Sequence, residues 1–180
     1  MRHIFIDLGA YDGDSIRYFL KSPESLKYEI YAFEPNPKFV TQLKAMKKAN
    51  SNIKQVSNEA AWIEDGTMDF AVDQASDPMG STLMKGKAEI WPKSQVETMI
   101  TFDFSEWIKQ FADDYVIVKM DIEGAEFPIL DKMIKNNTLT IMNELWCEFH
   151  PNKVREYTTT DKINLMQTIR DHGVKLTEWH

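Results

Sequence analysis

Cysteine is almost missing from this chain. Cys147 stands alone among 180 residues, so no internal disulfide can form, and stability must come from the core. That usage suits a reducing compartment, and a cytoplasmic protein is expected. Long apolar runs are missing too. None approaches the roughly 20 residues needed to cross a bilayer, and no signal peptide is expected, so no membrane partner is foreseen. Positive charge is short: 21 Lys and Arg face 28 Asp and Glu, a formal charge of −7. A net acidic surface argues against a broad nucleic-acid footprint. The cluster Lys44, Lys47 and Lys48 reads as the solvated face of a helix. Neither an internal repeat nor a low-complexity segment is present.

What the chain does have is the mix of a globular domain, with 43% hydrophobic and 27% charged residues. Residues 1–180 read as a single domain, long enough to bury a substantial core. Cys147 sits in an apolar run as a small buried side chain.

Ile4 to Leu8 reads as a buried strand, followed by a turn over Gly9-Ala10-Tyr11-Asp12-Gly13 and a helix over Ser15 to Leu20. Glu29 to Phe33 is a second strand, and Pro37 to Ala49 an amphipathic helix opened by proline. Ile53 to Val56 is a third strand. Ala60 to Ile63 and Thr67 to Val72, joined by Glu64-Asp65-Gly66, resemble a hairpin. Gln74 to Gln95 reads as a long loop, a candidate lid, with Ser81 and Thr82 as turn residues or acceptor contacts. Val96 to Phe102 is a strand and Phe104 to Phe111 a short helix. Tyr115 to Met120 is the most strand-like run, followed by a helix over Phe127 to Lys135. Thr138 to Phe149 reads as one strand. Asp161 to His172 reads as a helix with Ile163, Met166 and Ile169 inward, ended by Gly173, and Val174 to Trp179 as a last strand. The alternation predicts an α/β domain with a mainly parallel sheet and helices on both faces.

In such a sheet, ligands bind beyond the carboxyl ends of the strands. Those ends carry Asp7 to Gly13, Glu34, Asn58 to Ala61, Asp121 with Glu123, and Glu148 with His150. A dinucleotide loop wants three glycines for its pyrophosphate. Here only Gly9 and Gly13 stand in the loop, beside Asp7, Asp12 and Asp14. Like charges about 4 Å apart cost about 4 kcal/mol at an effective dielectric near 20. S-adenosylmethionine carries a sulfonium and an ammonium instead, and suits an acidic loop. Glu34, past the second strand, can accept from ribose hydroxyls of any adenosine ligand.

Phe5-Ile-Asp-Leu-Gly-Ala-Tyr-Asp-Gly-Asp-Ser, Tyr31-Ala-Phe-Glu-Pro-Asn-Pro and Val118-Lys-Met-Asp-Ile-Glu-Gly-Ala-Glu-Phe together resemble the FkbM family of methyltransferases, from about Ile4 to Pro151. The last block is the most specific. The resemblance implies a Rossmann-like class I methyltransferase fold with minimal termini. It also implies S-adenosyl-L-methionine as cofactor and O-methylation of a sugar, polyketide or other small hydroxylated acceptor. Asp7, Gly9, Ala10, Tyr11, Asp12, Gly13 and Ser15 would form the cofactor loop. Glu34 and Pro35 would lie at the ribose, Asn58, Ala60 and Ala61 near the adenine, and Asp121 at the methionine end. The short termini imply an acceptor pocket that is open, shared with a partner, or completed by residues 74–95; an oligomer is compatible with this.

An alcohol acceptor needs help losing its proton. The candidates are Glu123, Glu148 and His150; the unperturbed histidine pKa lies near neutrality, which suits a base, or His150 simply caps a strand before Pro151. The same side chains with Asp121 offer ligands for a divalent ion, but no short metal-spaced motif supports one and no metal is assigned. Glu126 reads as a favourable charge in the first turn of the following helix, and so could Glu123. Trp62, after the third strand, could stack near the adenine, whereas Trp91, Trp107, Trp146 and Trp179 read as core or surface patch. Three other readings compete: an inactive cofactor-binding interaction module, an NAD-dependent oxidoreductase, and a nucleic-acid methyltransferase. The last lacks both a base-amine motif and a basic groove.

Overall fold

The structure, a computed structural model, describes residues 1–72, 95–151 and 157–179. Six parallel strands form the central sheet in the order β3-β2-β1-β7-β8-β9. They are β1 (His3–Leu8), β2 (Tyr28–Phe33), β3 (Ile53–Ser57), β7 (Tyr115–Met120), β8 (Glu144–Cys147) and β9 (Lys175–Glu178). The chain runs outward from β1 in one direction and from β7 in the other. The loops after these two strands therefore part, and a crevice opens at the switch point in strand order.

Period-2 alternation decides which residues serve which face. From β1 and β7, Ile4, Ile6, Leu8, Val116, Val118 and Met120 enter one core with α3 (Phe104–Trp107), α4 (Glu126–Lys135) and α5 (Thr159–Asp171). Phe5 and Ile117 face the other way, against α1 (Asp14–Leu20) and α2 (Pro37–Ala49). The same alternation sends Asp7 and Lys119 to the α1 side.

Local chemistry sets the helix ends. At α2, Asn36 accepts from Lys38 N at 3.1 Å and Pro37 opens the first turn. At α5, Thr158 and Asp161 form a reciprocal capping box, and Gly173 follows with φ +81°. Lys44, Lys47 and Lys48 are exposed along α2, and Cys147 is fully buried.

Four expectations change. β4 (Ala60–Trp62) and β5 (Gly66–Val72) do not pair as a hairpin; β6 (Gln95–Asp103) lies between them, parallel to β4 and antiparallel to β5. The Asp-Gly turn instead wraps the end of β6: Asp65 Oδ1 accepts from Asp103 N at 2.9 Å, and Thr101 Oγ1 donates to Glu64 O at 3.1 Å. Thr138 to Phe149 is not one strand. Leu139–Ile141 is a 3-10 turn, and Asn143 exchanges bonds with Val116 before β8 starts. On α5 the buried residues are Leu165, Met166 and Ile169, whereas Ile163 is 61% exposed. Steps of three residues drift about 60° around a helix, so 163 and 169 cannot share a face. Trp62 belongs to the core rather than to an open ligand face. The candidate lid at 74–95, with Ser81 and Thr82, lies outside the described residues except for Gln95. Among the described residues, no helix is long and apolar enough to cross a membrane.

Candidate active site

Asp7 sits opposite Lys119 in the β1–β7 register, and both are buried. Lys119 Nζ donates to Gly9 O at 2.7 Å and lies 3.3 Å from Asp7 Oδ1 and 3.7 Å from Asp121 Oδ2. The Asp7 contact is a charge pair rather than a directed hydrogen bond, since Asp7 Oδ1 has no hydrogen-bond partner. Ser15 donates its hydroxyl to the other Asp7 oxygen. Burial works against the Lys119 ammonium, but the charges of Asp7 and Asp121 outweigh it and raise its pKa above the ordinary lysine value.

The loop after β1 is wound tightly by Gly9 (φ +78°), Tyr11 (φ +47°) and Gly13 (φ +91°). A Cβ on Gly9 would come within 2.0 Å of Asp121 O, so glycine is required where the two central loops meet. The loop's amides are consumed internally. Gly9 N and Ala10 N donate to Phe33 O, Gly13 N to Ala10 O, Tyr11 N to Glu34 Oε2 and Asp14 N to Asp12 Oδ1. A pyrophosphate would find these five donors already engaged, whereas a nucleoside held by a carboxylate needs none of them.

Glu34 ends β2 at 5% exposure. Its two oxygens accept from Tyr11 N and Asn36 N, each at 2.7 Å, leaving each oxygen a further lone pair. Burial pushes the carboxyl up to about 7, against the pull of those two amides and of Lys119. Asn58 fixes the turn from behind: its Nδ2 donates to Glu34 O at 3.0 Å and to Pro35 O at 2.7 Å.

The remaining loop residues hold the scaffold. Arg17 and Gln42 tie Asp12 down, through its carboxylate and its carbonyl respectively. Ser15 and Pro35 are buried, and the Ala10, Ala60 and Ala61 side chains lie in the cores. Ala60 and Ala61 therefore have only backbone to offer a ligand.

Beyond β7 and β8 a second group gathers around His150, which is 7% exposed. Its Nε2 lies 3.4 Å from Glu148, 3.8 Å from Glu123 and 3.9 Å from Asp121. Its Nδ1 lies 3.0 Å from Glu126 Oε1. One ligand atom each from Asp121, Glu123 and His150 falls within 4.8 Å of the others, a spacing compatible with a cation. Asp121 joins the two halves, touching Lys119 on one side and His150 on the other.

Two residues escaped the sequence reading. Lys119 interrupts an otherwise apolar strand, two residues before Asp121 and in phase with Asp7, and that parity was the available signal. The second is the part played by Glu126, which stands in the first turn of α4 as expected but is wholly buried. It accepts from Ile122 N at 3.0 Å and from Gly124 N at 2.8 Å.

A doubly wound parallel sheet with an acid at the second strand end and a tight loop at the switch point is an α/β architecture whose ligand crevice lies at that point. The methyltransferase FkbM domain model matches residues 7–176, so the chain belongs to that family. The crystal structure of methyltransferase FkbM from Methylobacillus flagellatus KT superposes with a TM-score of 0.58 at 15% identity. The match covers 94% of this chain and 37% of that one, and at this identity it shows the fold alone. No curated protein matches the chain.

Proposed function

We propose that the protein transfers a methyl group from S-adenosyl-L-methionine to a hydroxyl of a small molecule or sugar. The observation that carries the cofactor reading is the loop after β1, whose amides are spent internally while Glu34 stands at the strand end. Five amides that a pyrophosphate would want are thus engaged, which argues against NAD. When bound, the cofactor supplies a methyl carbon activated by a sulfonium.

The remaining work falls to the chain's own groups. Glu34 accepts the ribose hydroxyls on its free lone pairs. Gly9 and Gly13 let the loop close against the 121–122 segment and α2. Asp7 and Asp121 with Lys119 form a cluster of net negative charge that tolerates a cationic ligand. Proximity then supplies several kcal/mol of the barrier reduction. His150 Nε2 takes the proton from the acceptor hydroxyl, with Glu123 and Glu148 favouring the imidazolium that results.

Calorimetric titration with S-adenosylhomocysteine tests the cofactor, with Glu34→Ala and Asp7→Ala variants and an NADH control. Saturable binding weakened in both variants supports the reading. NADH binding, or no S-adenosylhomocysteine binding by the folded wild type, overturns it. Methyl transfer from labelled cofactor to a panel of sugars and phenols tests the rest, and His150→Gln is expected to lower kcat by roughly a hundredfold or more. Adding a chelator in parallel separates a base from a cation site: unchanged turnover fits the base.

A further inference from the structure

We propose that Glu126 is a positioning residue that fixes the tautomer and direction of His150, and with it the turn carrying Glu123. The inference rests on the reading of His150 as base and names the group through which that base is set. Glu126 has no exposure, and its carboxylate is supplied on three sides: Ile122 N and His150 Nδ1 at Oε1, Gly124 N at Oε2. A carboxylate only accepts, so the proton between Glu126 and His150 lies on Nδ1. Glu148, Glu123 and Asp121 also only accept, but they lie 3.4 to 3.9 Å from Nε2 against 3.0 Å at Nδ1, so in the neutral ring the proton stays on Nδ1 and Nε2 is the nitrogen left to take one. The same carboxylate holds the turn in which Glu123 (φ +60°) and Gly124 (φ +111°) take left-handed conformations, which non-glycine residues keep only under restraint. One buried group from α4 thus sets both the β7 loop and the residue beyond β8.

Asp121, Glu123 and Glu148 face Nε2, Lys119 lies beyond Asp121, and Lys162 of α5 sits over the neighbouring Phe149 ring at 5.8 Å. Glu126 is the group facing Nδ1 in the described residues.

The test is long-range proton–nitrogen NMR of His150, which reads the tautomer without an acceptor. The wild type at alkaline pH is expected to show Nδ1–H. In Glu126→Gln the amide can no longer supply two acceptors, and the tautomer ratio is expected to change roughly tenfold or more toward Nε2–H. Glu123→Gln, which alters the opposite side of the ring, is expected to keep Nδ1–H. Affinity for S-adenosylhomocysteine monitors folding of each variant. A wild-type Nε2–H signal overturns the proposal even where Glu126→Gln does not fold; so does a folded Glu126→Gln with an unchanged ratio. Full turnover by His150→Gln would sink the base reading while leaving the tautomer result standing.

Discussion

Glu34 and the carboxylates around His150 are both acidic groups at strand ends, yet they are satisfied in opposite ways. Glu34 is met by two backbone amides donated from fixed loops. Asp121, Glu123 and Glu148 instead converge on one imidazole at 3.4 to 3.9 Å. Backbone donors cannot move without unfolding the loop, so the Glu34 side is built to hold a shape. Side chains around a titratable ring can gain or lose a proton while the backbone stands still. Under the proposed function, the comparison separates a binding half from a chemical half, with Lys119 and Asp121 as the seam.

The largest expected effect breaks the seam. Lys119→Met leaves Asp7 buried beside Asp121 without its cation and should cost about 3–5 kcal/mol in urea unfolding. The double variant with Asp7→Asn should cost less than the sum of the singles; strict additivity would show that the pair does not interact. Next, Gly9→Ala forces a Cβ into Asp121 O at a left-handed position. It should cost about 3 kcal/mol and lower Tm by several degrees, with S-adenosylhomocysteine binding lost.

The binding half also carries a pH signature. The folded Glu34 carboxyl, near 7, stands above the ordinary glutamate value of 4.5. Between these values the folded protein holds a proton that the unfolded chain has released. Glu34's contribution to stability is therefore fully present below pH 4.5 and is lost as pH rises to about 7, by up to about 3 kcal/mol. Glu34→Gln should remove that slope. Ribose hydroxyls need the ionised form, so S-adenosylhomocysteine affinity should rise between pH 6 and 8 in the wild type and stay flat in Glu34→Gln. The smallest effect belongs away from both halves: Arg2→Ala removes a surface pair with Asp114 and should leave the urea midpoint almost unchanged.

Much of this arrangement was legible in the sequence. Alternation and helical period located the strands and helices of the central sheet, because those patterns record burial directly. Asp7, Gly9, Gly13 and Glu34 stood out because strand ends carry ligands in this architecture. The small sheet was misread because β6 enters between β4 and β5 from far along the chain, and local turn chemistry cannot report a distant strand. The burial of Glu126 was hidden for a related reason. A carboxylate in a first helical turn is usually solvated, and only the fold brings His150 and the 122–124 turn to it.

The pairing of β1 with β7 has a consequence in time as well as space. Lys119 and Gly9, bonded to each other, are 110 residues apart in sequence. Neither half of the crevice is complete until that long closure is made, and closures of such span are slow. A nascent chain would carry its Gly loop unformed until β7 has left the ribosome. Competence to bind a nucleoside should then emerge late and all at once, and ligand capture during refolding would report the docking of a single strand.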